Sequence, residues 1–277
     1  MSNWYLSNIP KVVHFYWGGR MSFLRYLSIA SFHLHNPDWV IKIHTPENPS
    51  DANIIDNERV HIRYNQYDWF DELKKLNTVF LRYNFNNFLV HANEVHRSDF
   101  MRWVILSTEG GVWSDCDILY TKPMSSLIEN SPANAHIKTG LVNYKQHEPP
   151  YHNAIGFLLS SPNNMYFANV LNHSVPRYSS ESYQCMGSRI LNYVSVNPFD
   201  TVILDPECVY FYEAMQESHL FSDSIPDLKQ FDKCIGYHWF GGHPISQKYQ
   251  EVCTPDFLKK DTSLLSTLAR TFCKEIL

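Results

Sequence analysis

Apolar runs broken by glycine, proline and asparagine alternate along this chain with stretches of helical period. Residues 11–17 (KVVHFYW), rich in β-branched and aromatic side chains, predict a buried first strand that Gly18-Gly19 ends. From Ser22 the pattern FLRYLSIASFHLHN sets Leu24, Leu27, Ala30, Ser31 and Leu34 on one helical side. It stops before Pro37, whose ring disfavours helix in the residue ahead of it. Residues 39–45 (WVIKIHT) alternate as a second strand. Strand, helix, strand is the opening of a layered α/β domain with a largely parallel sheet, and ligands in such sheets sit at the carboxyl ends of the strands.

Between 46 and 93 the signals weaken: Pro46, Pro49 and scattered Asn and Asp mark loops, with a strand expected at 60–64 and a helical excursion at 69–83. Residues 94–108 read as a helix with Met101, Val104 and Ile105 in its apolar stripe, ended by Gly110-Gly111. Next, 112–120 (VWSDCDILY) predicts a strand with two acids in its interior. Further strands are expected at 154–160, 201–204, 209–212 and 235–239, with helices after Pro162-Asn163-Asn164 and after Gly187. At the C-terminus, Phe257, Leu264, Leu265, Leu268, Phe272 and Ile276 recur at helical spacing beside Lys259, Lys260, Arg270 and Lys274. This C-terminal helix either packs on the core or docks peripherally on a membrane surface.

The 277 residues, 44% of them hydrophobic, suffice for one sizeable core. A net charge of -5 argues against a broad nucleic-acid footprint. No run approaches the roughly 20 apolar residues of a membrane span, and MSNWYLSNIPK lacks the features of a signal peptide, so a cytoplasmic enzyme is expected. The six cysteines form no CxxC pair and read as reduced, mostly buried thiols.

Candidate chemistry centres on Asp115-Cys116-Asp117, where carboxylates two residues apart on an extended chain point to one side. Such a pair suits Mg²⁺ or Mn²⁺, which take carboxylate, phosphate and water oxygens. Surface loops produce the same spacing often, but here the acids follow GGVW and precede ILY, where an unpaired buried carboxylate is costly. Asp99 and Arg102 share a helical face that runs into this strand, which is either a functional pair or an ordinary surface ion pair.

The blocks IPKVVHFYWGG, RSDFMRWVILSTEGGVWSDCD and IGYHWFGGH, in that order, resemble the glycosyltransferases of family 32 and, more distantly, the clostridial glucosylating toxins. The resemblance implies a GT-A fold: one α/β, Rossmann-like domain whose mostly parallel mixed sheet is flanked by helices. It implies a single catalytic domain over 1–277, with a nucleotide-sugar half (1–123), an acceptor-side half (124–255) and the C-terminal helix (256–277). It also implies a nucleotide-sugar donor, a divalent metal and transfer with retention of configuration.

Carried over residue by residue, Trp17 matches the tryptophan that stacks on the nucleotide base, unless it is a core tryptophan. Asp99 and Arg102 match the pair that meets the donor sugar and diphosphate. Trp113 stands where relatives often have tyrosine, as a wall for the ribose. Asp115 is expected at ribose, sugar or metal-bound water, Asp117 on the metal, and His238 as a third metal ligand or else a satisfied core histidine. Gly242-His243 replace the family's Ser-Trp, leaving His243 to donate to the leaving diphosphate. Asn153 falls beneath the sugar. The expected partners are a UDP-sugar and a glycan or other hydroxyl acceptor contacted by loops 46–93 and 136–152, with surface-polysaccharide synthesis as the setting. Two competing readings are a toxin- or effector-like protein glycosyltransferase and a sugar-binding protein without turnover. A DxD phosphatase is disfavoured, because Leu119 occupies the place of its usual threonine.

Overall fold

The computed structural model describes residues 8–50, 55–56, 59–60, 64–86, 89–129, 138–144, 152–213, 216–223 and 227–277. Its strands are β1 (Val12–Tyr16), β2 (Val40–Pro46), β3 (Ile55–Asp56), β4 (Arg59–Val60), β5 (Val79–Tyr83), β6 (Gly111–Ser114), β7 (Ile118–Tyr120), β8 (Thr139–Tyr144), β9 (His152–Ser160), β10 (Thr201–Leu204) and β11 (Gly236–His238). Its α-helices are α1 (Phe23–His35), α2 (Glu94–Thr108), α3 (Ser126–Glu129), α4 (Met165–Ser174), α5 (Pro244–Val252), α6 (Pro255–Lys260) and α7 (Leu264–Phe272). A seven-stranded sheet runs β10-β8-β9-β6-β1-β2-β5, and every pairing in it is parallel except the two made by β9. Helices cover both faces, the arrangement a mostly parallel sheet needs to bury its two apolar sides. On the α1 side, Val13 and Phe15 of β1 pack with Phe32. On the other, Trp113 of β6 packs with Trp103 of α2 and Phe167 of α4.

The strand expected at 112–120 is two strands. β6 pairs with β1 and β9, the chain turns at Asp115–Asp117, and β7 leaves the main sheet to pair antiparallel with β11. The acids therefore lie in a turn at the sheet's carboxyl edge and not inside a strand. Their separation survives because Cys116 between them points into the core, 4% exposed.

Other expectations also shift. The excursion at 69–83 resolves into a 3-10 turn (Phe70–Leu76), stopped by Asn77 at a left-handed φ of 55°, and the edge strand β5. Of 60–64 only part is seen, as the end of β4; residues 61–63 lie outside the described set. No strand forms over 209–212. There Val209 offers its carbonyl to His238 N at 2.8 Å, one isolated bond that anchors β11. The segment after Gly187 is a 3-10 turn (Ser188–Tyr193). The C-terminal helix is broken into α6, α7 and a final 3-10 turn (Lys274–Ile276): Ser263 N-caps α7 by accepting from Ser266 N, and the Asp261 carboxylate between α6 and α7 receives the Ser263 and Ser266 hydroxyls. Leu264, Leu265 and Leu268 are wholly buried against Phe23, Leu24 and Trp239, so these apolar positions face the core.

Gly110, just before β6, is held by a polar chain across the sheet. His14 Nε2 meets the Gly110 carbonyl at 2.9 Å, so that nitrogen must carry its proton. His14 Nδ1 then accepts from His44 Nε2 at 2.9 Å, and His44 Nδ1 accepts from the Tyr83 hydroxyl at 2.9 Å. Gly111 has φ 94°, and a Cβ there would meet the Val12 carbonyl at 2.6 Å. Only glycine fits this entry to the acidic turn.

Candidate active site

Two segments deliver the three candidate ligands. The turn after β6 brings Asp115 and Asp117, β11 brings His238, and one ligand atom from each lies within 4.8 Å of the others. Asp115 is fixed from three sides: Trp113 Nε1 donates to Oδ1 at 2.8 Å, Arg102 Nη2 donates to the same oxygen at 3.0 Å, and its backbone N donates to Gly156 O at 2.8 Å. Oδ2 lies free of those bonds. Gly156 of β9 is the floor beneath it: a Cβ there would stand 3.0 Å from Asp115 Oδ2, 3.1 Å from His238 Nε2 and 2.7 Å from the Tyr210 hydroxyl.

Asp117 is 7% exposed. Its Oδ2 accepts from Gly241 N at 2.8 Å and lies 3.4 Å from Arg25 Nη1. Its Oδ1 stands 3.1 Å from His238 Nε2 yet makes no hydrogen bond of normal geometry. Burial pushes its acidity the other way, but His238 and Arg25 outweigh burial and hold the carboxyl well below the usual range. His238 is stacked on Tyr210, ring centroids 4.8 Å apart, with Phe240 edge-on at 4.3 Å.

Behind the turn, α2 carries Asp99 and Arg102, which form no surface ion pair: their side chains are 3% and 4% exposed and 3.2 Å apart. Burial pushes the Asp99 carboxyl up to about 7, more than Arg102 draws it down. Arg102 lies over the Trp113 ring at 5.0 Å, and its Nε is buried without a partner. Trp103 Nε1 donates to Met186 O at 2.8 Å, which brings Gly187 beside Asp99; a Cβ on Gly187 would lie 3.1 Å from Asp99 Oδ2. Ile155 of β9 faces the same spot. Asn153, two residues earlier on β9, has a buried Oδ1 with no partner.

The remaining expected residues fall in different places. Trp17 closes β1 at the sheet's carboxyl edge, half-buried, its Nε1 donating to Arg20 O at 3.2 Å. Trp113 is wholly buried; its indole orients Asp115 and presents no open face. His243 is the N-cap of α5, its Nδ1 accepting from Ile245 N at 3.4 Å. Arg25, Gly156, Tyr210 and Gly241 carry no spacing signal in the sequence. They are brought in by α1, β9, the 209–212 segment and the segment after β11, all remote in sequence from the acidic turn.

The mostly parallel seven-stranded sheet flanked by helices has the GT-A fold. Residues 14–134 match the family described as "Glycosyltransferase sugar-binding region containing DXD motif", and Asp115-Cys116-Asp117 is that motif in this chain. Among solved structures, the chain is similar to the glycosyltransferase GlyE of Streptococcus pneumoniae TIGR4, at 12% identity and TM-score 0.51, over 97% of this chain and 64% of that one. The chain thus spans about two thirds of the length of GlyE, and the likeness is one of fold. Weaker likenesses are to the PaToxG glycosyltransferase (16% identity, 67% and 68% covered, TM-score 0.43) and the galactosyltransferase LgtC (12%, 90% and 99%, TM-score 0.46). No curated protein matches the sequence.

Proposed function

We propose that this protein is a divalent-metal-dependent, retaining glycosyltransferase that takes a UDP-sugar and transfers its sugar to a hydroxyl of a glycan in surface-polysaccharide synthesis. The observation that carries this reading is the convergence of Asp115, Asp117 and His238. The donors fit Mn²⁺ or Mg²⁺: two carboxylates and one imidazole, a buried Asp117 Oδ1 without a hydrogen bond, and the Gly156 floor that any side chain would fill. Asp115, Asp117 and His238 would hold the ion. When bound, it neutralises charge on the departing nucleoside diphosphate.

The chain's own groups do the rest. Arg102 offers its unpartnered Nε to charge near the sugar and diphosphate, a preorganised donor whose worth rises in a dry site. Asp99 accepts from sugar hydroxyls, and Asn153 bonds from beneath. Trp17 stacks on the base. The acceptor oxygen bonds to the anomeric carbon on the face from which the diphosphate leaves, and its proton passes to the leaving phosphate oxygen. Donor contacts come chiefly from residues 1–123 and the acceptor wall from 124–255. Of the acceptor loops, residues 51–54, 57–58, 61–63, 87–88, 136–137 and 145–151 lie outside the described set. Among the described residues no helix is long and apolar enough to cross a membrane.

Calorimetry in Mn²⁺ tests the donor. UDP should bind more tightly than GDP, and the reverse order overturns the choice of base. NMR of the first-formed product tests retention, with an inverted anomeric centre as the contrary result.

A further inference from the structure

Arg25, in the first turn of α1, is the least expected group near the acidic turn. Its guanidinium lies 5.1 Å from the Trp17 ring and 4.7 Å from the Trp239 ring, so it is held between two indoles. Nη1 faces Asp117 Oδ2 at 3.4 Å, and Nε donates to Gln250 Oε1 at 3.1 Å. Gln250 in turn donates from Nε2 to Gly241 O at 3.0 Å and receives the Ser22 hydroxyl at 3.1 Å. Gly241 has no side chain because the guanidinium fills that space: a Cβ there would overlap Arg25. Its N–H donates to the same Asp117 oxygen.

We infer that Arg25 is a positioning residue that ties the Trp17 ring to the Asp117 carboxylate, so that the base platform and the metal carboxylate form one rigid unit. The inference rests on the metal and nucleotide reading above. Arg25 and Gly241 take Oδ2 between them, which leaves Oδ1 turned toward His238 as the ligand atom. A planar guanidinium suits this task because it can stack on indole faces while its edge meets a carboxylate and an amide. Lysine, a point charge on a flexible stem, could not do both. Outer partners that orient a metal ligand in this way are typically worth about 10–100-fold in metal affinity. Arg25 is also a cation near the ion, and an effect through charge alone would have the opposite sign, since removing it would tighten metal binding.

Two variants separate these cases. Arg25→Met removes the guanidinium. Gly241→Ala keeps the charge and the Gly241 N–H but displaces the guanidinium; Gly241 is not among the glycines of positive φ, so alanine fits the backbone. Mn²⁺ affinity without nucleotide, and UDP affinity in EDTA, are measured by calorimetry, with melting temperature recorded for each protein. Both affinities should fall about tenfold in both variants, Gly241→Ala retaining a near-normal melting temperature. Unchanged or tighter Mn²⁺ binding in Arg25→Met, unchanged UDP binding, or wild-type behaviour in Gly241→Ala overturns the inference. A wild-type protein that binds neither Mn²⁺ nor UDP overturns the proposed function itself, and this inference with it.

Discussion

At the scale of single residues, burial decides what each charged group can do. Arg102 faces Asp99, which is buried with it, and the partly exposed Asp115, so Arg102→Ala leaves both carboxyl groups without their cation. Removing one partner of a buried pair typically costs about 3 kcal/mol or more, and melting should show it; an unchanged melting temperature would mean that the Asp99–Arg102 pair adds nothing to stability. Asp99 is different. Its folded pKa of about 7 lies above the ordinary 3.8, so its protonated form is favoured by folding and stability falls as pH rises through about 7. Asp99→Asn should therefore melt no lower than wild type at pH 8, while transfer falls about 10²–10³-fold through loss of its contact to the sugar. Normal transfer would remove Asp99 from the donor site. His238→Ala should raise the Mn²⁺ concentration needed for donor hydrolysis; lower stability with an unchanged metal requirement would leave the ion to the two aspartates.

At the scale of elements, the sequence was most readable where periodicity and burial coincide. β1, α1, β2 and α2 are continuous between clear start and stop residues, and the structure places them within a residue or two of their expected bounds. VWSDCDILY alternates throughout and so predicts one strand across the acidic turn; only the pairing of β7 with β11, far away in sequence, shows where the main sheet ends. The roles of Gly156 and Arg25 were hidden for a similar reason, since each depends on what another element places against it. Gly156→Ala offers a direct test: the backbone tolerates alanine, but the methyl would crowd Asp115 and His238, so Mn²⁺ binding should weaken with folding retained. Undiminished binding would exclude the Gly156 floor from the ion's site. The His14–His44–Tyr83 chain makes the sheet itself sensitive to acid. Burial lowers His14 to about 4 and His44 to about 3, both below the ordinary 6.5, so stability is complete above that value and is lost as pH falls from 6.5 toward 4. The drop in melting temperature over that range should be shallower in His44→Asn; an unaltered slope would mean that other groups set the acid limit.

At the scale of the whole molecule, the site is assembled from both ends of the chain: Arg25 from α1, the acidic turn from the middle, and His238 and Gly241 from the segment that α5, α6 and α7 hold against α1. That assembly underlies the proposed metal-dependent sugar transfer, which is the central claim. The most direct measurement is release of nucleoside diphosphate from a panel of nucleotide sugars by the purified protein, with Mn²⁺ or with EDTA. Hydrolysis of at least one UDP-sugar in Mn²⁺, lost in EDTA and in Asp117→Asn, is the predicted result. Turnover that is undiminished in EDTA, or none with any donor in Mn²⁺, would contradict it.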